Sequence, residues 1–74
     1  MNKLQSLTDY FCRWKIATTL DVMNTINTTS PSKYVSMLRQ RGIIENGEKF
    51  GKYEMYNLAV DVDKVDREKC VLID

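Results

Sequence analysis

The spacing of apolar positions changes character along this chain. From Leu4 to Trp14 they recur every three or four residues, as Leu4, Leu7, Tyr10 or Phe11, and Trp14. That spacing defines one face of a helix. Lys3, Gln5, Ser6, Asp9 and Arg13 fill much of the remainder. The pattern predicts an amphipathic helix from Asn2 or Lys3 to Trp14, with its apolar face, Trp14 included, in the core. Lys15-Ile16-Ala17-Thr18 then makes a short connection. Thr18 or Thr19 suits the N-cap of a second helix, with Asp21 near its positive end. Leu20, Met23 and Ile26 are expected to point inward. Asn24 to Thr29 is rich in Asn and Thr, which bond their own backbone, so the helix ends and turns there.

A third helix is predicted from Pro31 to about Arg41. Ser30 suits its N-cap, Pro31 its first position, and Gly42 a left-handed stop. With Val35 as origin, Pro31 and Leu38 lie within about 60° of it and share the buried face. Lys33, Ser36 and Gln40 fall between about 100° and 160°, on the opposite side, with Thr29 near them. Arg39 and Arg41 flank the two edges, and Tyr34 lies toward Arg41. Behind Gly42 the spacing shortens toward two. Ile43 to Leu58 reads as a β-hairpin whose five-residue loop spans Gly47 to Gly51. Tyr56 and Leu58 share the packed face, and Tyr53 and Met55 the other.

The resulting fold class is mainly α with a small β-hairpin: three helices and a two- or three-stranded antiparallel sheet. Residues 1–58 form the domain, and residues 59–74 a C-terminal tail. Val60, Val62 and Val65 alternate with charged residues, which suggests continuation of the hairpin strand or an extra strand. Cys70-Val71-Leu72-Ile73 is a compact apolar run. It is expected to pair with a second copy as a dimerisation segment, in slight preference to packing back on the first helix.

Seventy-four residues make one domain with a marginal core, another reason to consider dimerisation. The net charge of +1 is divided unevenly. Residues 1–58 hold eight Lys/Arg against five Asp/Glu, and residues 59–74 three against five, a mildly basic body and a mildly acidic tail. Two cysteines and no histidine make no standard four-ligand zinc site. Cys12 falls in the apolar pattern and is expected to be a buried thiol. A disulfide is open but not implied, and a reducing cytoplasm is the default compartment. The sequence has no apolar run of membrane-spanning length and no signal-peptide core. No histidine base and no glycine-rich phosphate loop is present, so no enzyme, cofactor or small-molecule ligand is expected. Asp61, Asp63 and Asp66 lack the glycine and glutamate spacing of a calcium loop.

Two markers carry a resemblance. One is Leu38-Arg39 followed by Gly42-Ile43-Ile44. The other is Gly51-Lys52 ending in Tyr56-Asn57-Leu58. With Thr19-Leu20-Asp21 and Thr29-Ser30-Pro31 ahead of them, residues 3–58 resemble the small winged helix-turn-helix DNA-binding proteins of bacteria and their phages. The resemblance implies sequence-specific binding of double-stranded DNA, in transcription regulation or in phage recombination or replication. Helix 31–41 would enter the major groove, and the wing, residues 45–54, would lie on the backbone or in the minor groove. A brief strand at Ile16 would join the hairpin. The implied DNA-binding residues are Thr29, Ser32, Lys33, Ser36, Gln40, Arg39, Arg41, Lys49 and Lys52. Gln40 could bond adenine with both amide atoms, or simply be solvated. Lys33 suits a phosphate or base near a helix start. Arg39 and Arg41 could grip phosphates or pair with Glu45 or Glu48. Two tail-paired copies would meet a palindromic site. The alternative is a protein-interaction module on the same fold, with little or no DNA binding.

Overall fold

A computed structural model describes residues 2–49 and 51–73; Phe50, in the expected hairpin loop, and Asp74 lie outside the described residues. The elements run α1 (Lys3–Trp14), β1 (Ile16–Thr18), α2 (Thr19–Ile26), α3 (Pro31–Gln40), β2 (Ile44–Asn46) and β3 (Met55–Leu58). A 3-10 turn (Val62–Lys64) and a two-stranded ribbon, β4 (Val65–Asp66) and β5 (Val71–Leu72), complete the chain.

The helix boundaries follow local chemistry. Asn2 caps α1 by accepting from the Gln5 backbone N–H at 2.8 Å, while the Gln5 side chain accepts from the Asn2 backbone at 3.0 Å. Thr18 and Asp21 make the same reciprocal box on α2. Each box satisfies helix-start N–H groups that otherwise lack a partner. Lys15 and Asn27 close α1 and α2 in the left-handed region, at φ 69° and 49°. Ser30 holds the N-cap position of α3 without a side-chain bond, contrary to expectation. Its N–H instead donates to the Thr28 hydroxyl at 3.0 Å, and Pro31 supplies the helical φ. Gly42 stops the segment at φ 79°, as its position predicts.

The sheet order is β1-β3-β2, antiparallel throughout. Ala17 pairs with Tyr56 and Ile44 with Leu58. Alternation therefore turns Ala17, Tyr56, Leu58 and Ile44 toward the helices. Residues 47–54 connect β2 to β3, so the loop is longer than the five residues expected. At its base, Gly47 approaches the Asn57 side chain so closely that a Cβ there would stand 3.0 Å from the amide.

Leu7, Phe11, Val22, Ile26, Val35, Leu38, Ile43, Ile44 and Tyr56 form the core between the three helices and the sheet. Two helix-face expectations fail. Trp14 is 61% exposed, and Leu20 is 42% exposed while Val22 takes the buried position. Both residues sit at a helix end, where the chain leaves the packed layer before the stripe is complete. Phe11→Ala is expected to cost about 3–5 kcal/mol, and Trp14→Ala under about 1 kcal/mol. Urea denaturation of the two variants checks the order, and equal losses would put Trp14 back in the core.

The tail joins this core. Val65 and Cys70 are buried in it, and Leu72 is half-buried against Gly42, where a Cβ would meet its methyl at 3.3 Å. The alternating valines do not extend the sheet; Val62 begins the 3-10 turn, and only Val65 opens a strand. Most of the apolar run thus finds cover inside the chain, leaving Ile73 exposed.

Candidate nucleic-acid interface

Helix α3 divides the candidate residues by angle. Its buried stripe is Val35 and Leu38. Lys33 and Gln40 stand exposed on the far side with Ser36 half-buried among them; Ser32 is exposed nearer the buried stripe, and Thr29 is exposed in the turn before the helix. Lys33 extends over the ring of its neighbour Tyr34, Nζ 5.5 Å from the centroid. Lys33, Ser36 and Gln40 therefore share one face of α3.

Arg39 connects α3 to the end of β2, at the base of the β2–β3 loop. Its guanidinium donates to Asn46 Oδ1 at 3.0 Å and to Ser36 Oγ at 3.4 Å. Among the described residues neither Glu45 nor Glu48 forms an ion pair with it. Asn46, absent from the sequence-derived candidates, is the residue that fixes where Arg39 points. Its signal was its place at the base of the hairpin, one residue before Gly47. Glu54 closes the other side of the loop. Its carboxylate accepts from the Tyr56 hydroxyl at 3.0 Å, and its carbonyl accepts from the Thr19 N–H at 3.0 Å. Burial pushes the Tyr56 hydroxyl above its ordinary value, with the Thr19 hydrogen bond pulling down and Glu54 pushing up. The phenol therefore stays neutral as a donor, and its stabilising contribution is complete below about pH 10 and lost at still higher pH.

Arg41 departs from the candidate surface. It lies on the opposite edge of α3, and its guanidinium donates to the Cys70 carbonyl at 2.9 Å and the Lys69 carbonyl at 3.4 Å. The expected pairing of Arg41 with Glu45 or Glu48 is thus corrected. Two backbone carbonyls of the tail hold it instead, because α3 turns it about 160° away from Arg39. Lys49 and Lys52 are exposed on the loop, Lys52 with Nζ 5.5 Å from the Tyr53 ring centroid.

Elsewhere, Lys3 Nζ donates at 3.2 Å to the Asn27 carbonyl, tying the start of α1 to the end of α2. Three of the exposed large apolar side chains, Trp14, Ile16 and Leu20, fall at the join of α1, β1 and α2. Among the described residues no group of three or more His, Cys, Asp or Glu is placed to hold a metal ion. No helix among them is long and apolar enough to cross a membrane. Comparison with protein-family models, curated proteins and solved structures found no match to this chain.

Proposed function

We propose that this chain is a winged helix-turn-helix domain that binds double-stranded DNA, with α3 in the major groove and residues 45–54 as the wing. The observation that carries the reading is the pairing of two features. The outer face of α3 presents Lys33 and Gln40 to solvent with Ser36 half-buried between them, Thr29 and Ser32 are exposed at its start, and Arg39 ties α3 to the end of β2 through Asn46. A helix with small polar and cationic residues outward fits a major groove, and a loop with Lys49 and Lys52 fits the flanking phosphates. The proposed role is a small regulator of transcription, or an accessory factor in recombination or replication, working in the cytoplasm of a bacterium or an infected cell.

Titration of labelled duplex DNA at several salt concentrations tests the reading. Binding that weakens steeply with salt supports it, since released counterions drive such association. No binding at low salt defeats it. Gln40 stands in the middle of the proposed face. Gln40→Ala is expected to relax preference at one base position, at a cost of about 1–3 kcal/mol there. Site selection with parent and variant measures this; identical preferences would make Gln40 a bystander.

A second reading, recruitment of a protein partner, is favoured by Trp14, Ile16 and Leu20, which spend apolar surface on solvent at one join of the fold. Binding that ignores salt and fails with Trp14→Ala would select it. A homodimer through the tail would have to be built on Ile73 and the outer edge of β5, since Cys70 is already covered.

A further inference from the structure

The C-terminal turn, residues 66–70, docks on one stripe of α1. Gln5, Asp9 and Cys12 follow at steps of four and three, so they line a single face. Gln5 Nε2 donates to the Glu68 carbonyl at 2.8 Å. Asp9 accepts from Arg67 Nη1 at 2.9 Å. Cys12 comes next along the stripe, beside the same Arg67. Cys70 Sγ in turn donates to the Arg67 carbonyl at 3.6 Å. Both cysteines are free thiols, 4% and 2% exposed, within the same core cluster.

The turn is held in place from two further directions. Asp66 Oδ1 accepts from the Glu68 and Lys69 N–H groups, both at 3.1 Å. Arg41 reaches from the end of α3 to the Cys70 carbonyl. Cys70 itself adopts φ 56°, a conformation that L residues enter only when their surroundings demand it. The fold thus holds Cys70 in the turn at a conformational cost, close enough for its thiol to act electrostatically on Cys12.

We propose that Cys12 and Cys70 are a dithiol pair that a small-molecule disulfide oxidises to an intramolecular disulfide, locking the C-terminal turn onto α1. The pairing is independent of the DNA-binding reading. When the turn lifts, the Cys70 thiolate attacks the oxidant's S–S bond and forms a mixed disulfide, expelling one thiolate. As the turn closes, the Cys12 thiolate attacks the Cys70 sulfur; the protein S–S bond forms and the second thiolate leaves. The two protons lost by the cysteines end on the two released thiols. The protein gives up two electrons and the small disulfide takes them. Burial pushes the Cys12 thiol up, and the Arg67 guanidinium pulls it back down. Closed, the pair is therefore shielded, and reaction follows opening of the turn.

The test is incubation of the full chain with oxidised glutathione under native conditions, followed by intact mass and peptide mapping without reduction. Loss of two hydrogens and a cross-linked Cys12–Cys70 peptide are expected. The bond closes a loop over most of the chain, so the melting temperature should rise on the order of 10 °C and fall back with dithiothreitol. Cys12→Ser and Cys70→Ser should each lose the rise; the mass readout on the parent chain needs neither variant to fold. Glutathione adducts without a cross-link, chains linked only to one another, or thiols that react only after denaturation would each overturn the proposal.

Discussion

A chain ending at Val60 is expected to lose cooperative folding. The removed segment contributes Val65 and Cys70 to the core and half-buries Leu72 against Gly42. Full burial of one aliphatic side chain stabilises by about 1.5–3 kcal/mol, so these residues together contribute about 3–5 kcal/mol. A domain of this length has a total stability of about 4–11 kcal/mol. Removal also takes Arg67 and Cys70 away from Cys12 on α1. The surface ties, Gln5 to Glu68 and Asp9 to Arg67, are exposed and add little. Circular dichroism during urea denaturation of the two chains is the measurement. A shortened chain that unfolds cooperatively at nearly the same midpoint would show that the tail is an appendage. Sedimentation of the intact chain at high micromolar concentration then reports whether β5 and Ile73 bring two copies together.

Reversing two charges on the proposed interface should have the largest effect on binding. Lys33 belongs to the outer face of α3, and Lys52 to the β2–β3 loop, which begins one residue after the Asn46 that Arg39 bonds. If each contacts one phosphate, each contributes about 0.9 to the salt slope. Lys33→Glu with Lys52→Glu should lower the slope by about two and the affinity near 0.1 M salt on the order of a hundredfold. Arg41→Ala makes the contrast. Its guanidinium faces the Cys70 and Lys69 carbonyls, so that variant should lose stability and keep the parent slope. A double variant with an unchanged slope would remove α3 and the loop from any DNA contact. A slope that falls with Arg41→Ala would return that residue to the interface.

What the sequence by itself determined lies mostly in local chemistry. Thr18 and Asp21, Pro31 and Gly42 mark helix ends because their effects act over one turn of backbone. Val35 and Leu38 follow from the period of α3, and Tyr56 with Leu58 from the alternation of β3. The outward face of Lys33, Ser36 and Gln40 was legible for the same reason. What tertiary structure decided depends on which surfaces meet. Trp14 has an apolar stripe position but ends exposed, because α1 outruns the layer it packs on. Arg39 and Arg41 look equivalent two residues apart. One is drawn to Asn46 and the other to tail carbonyls, and only the placement of the loop and tail separates them. The apolar run at Cys70 could equally serve a partner or the core by composition. The docking of the turn on Gln5, Asp9 and Cys12 assigns it to the core, since those contacts join residues about sixty positions apart, beyond the reach of any local pattern.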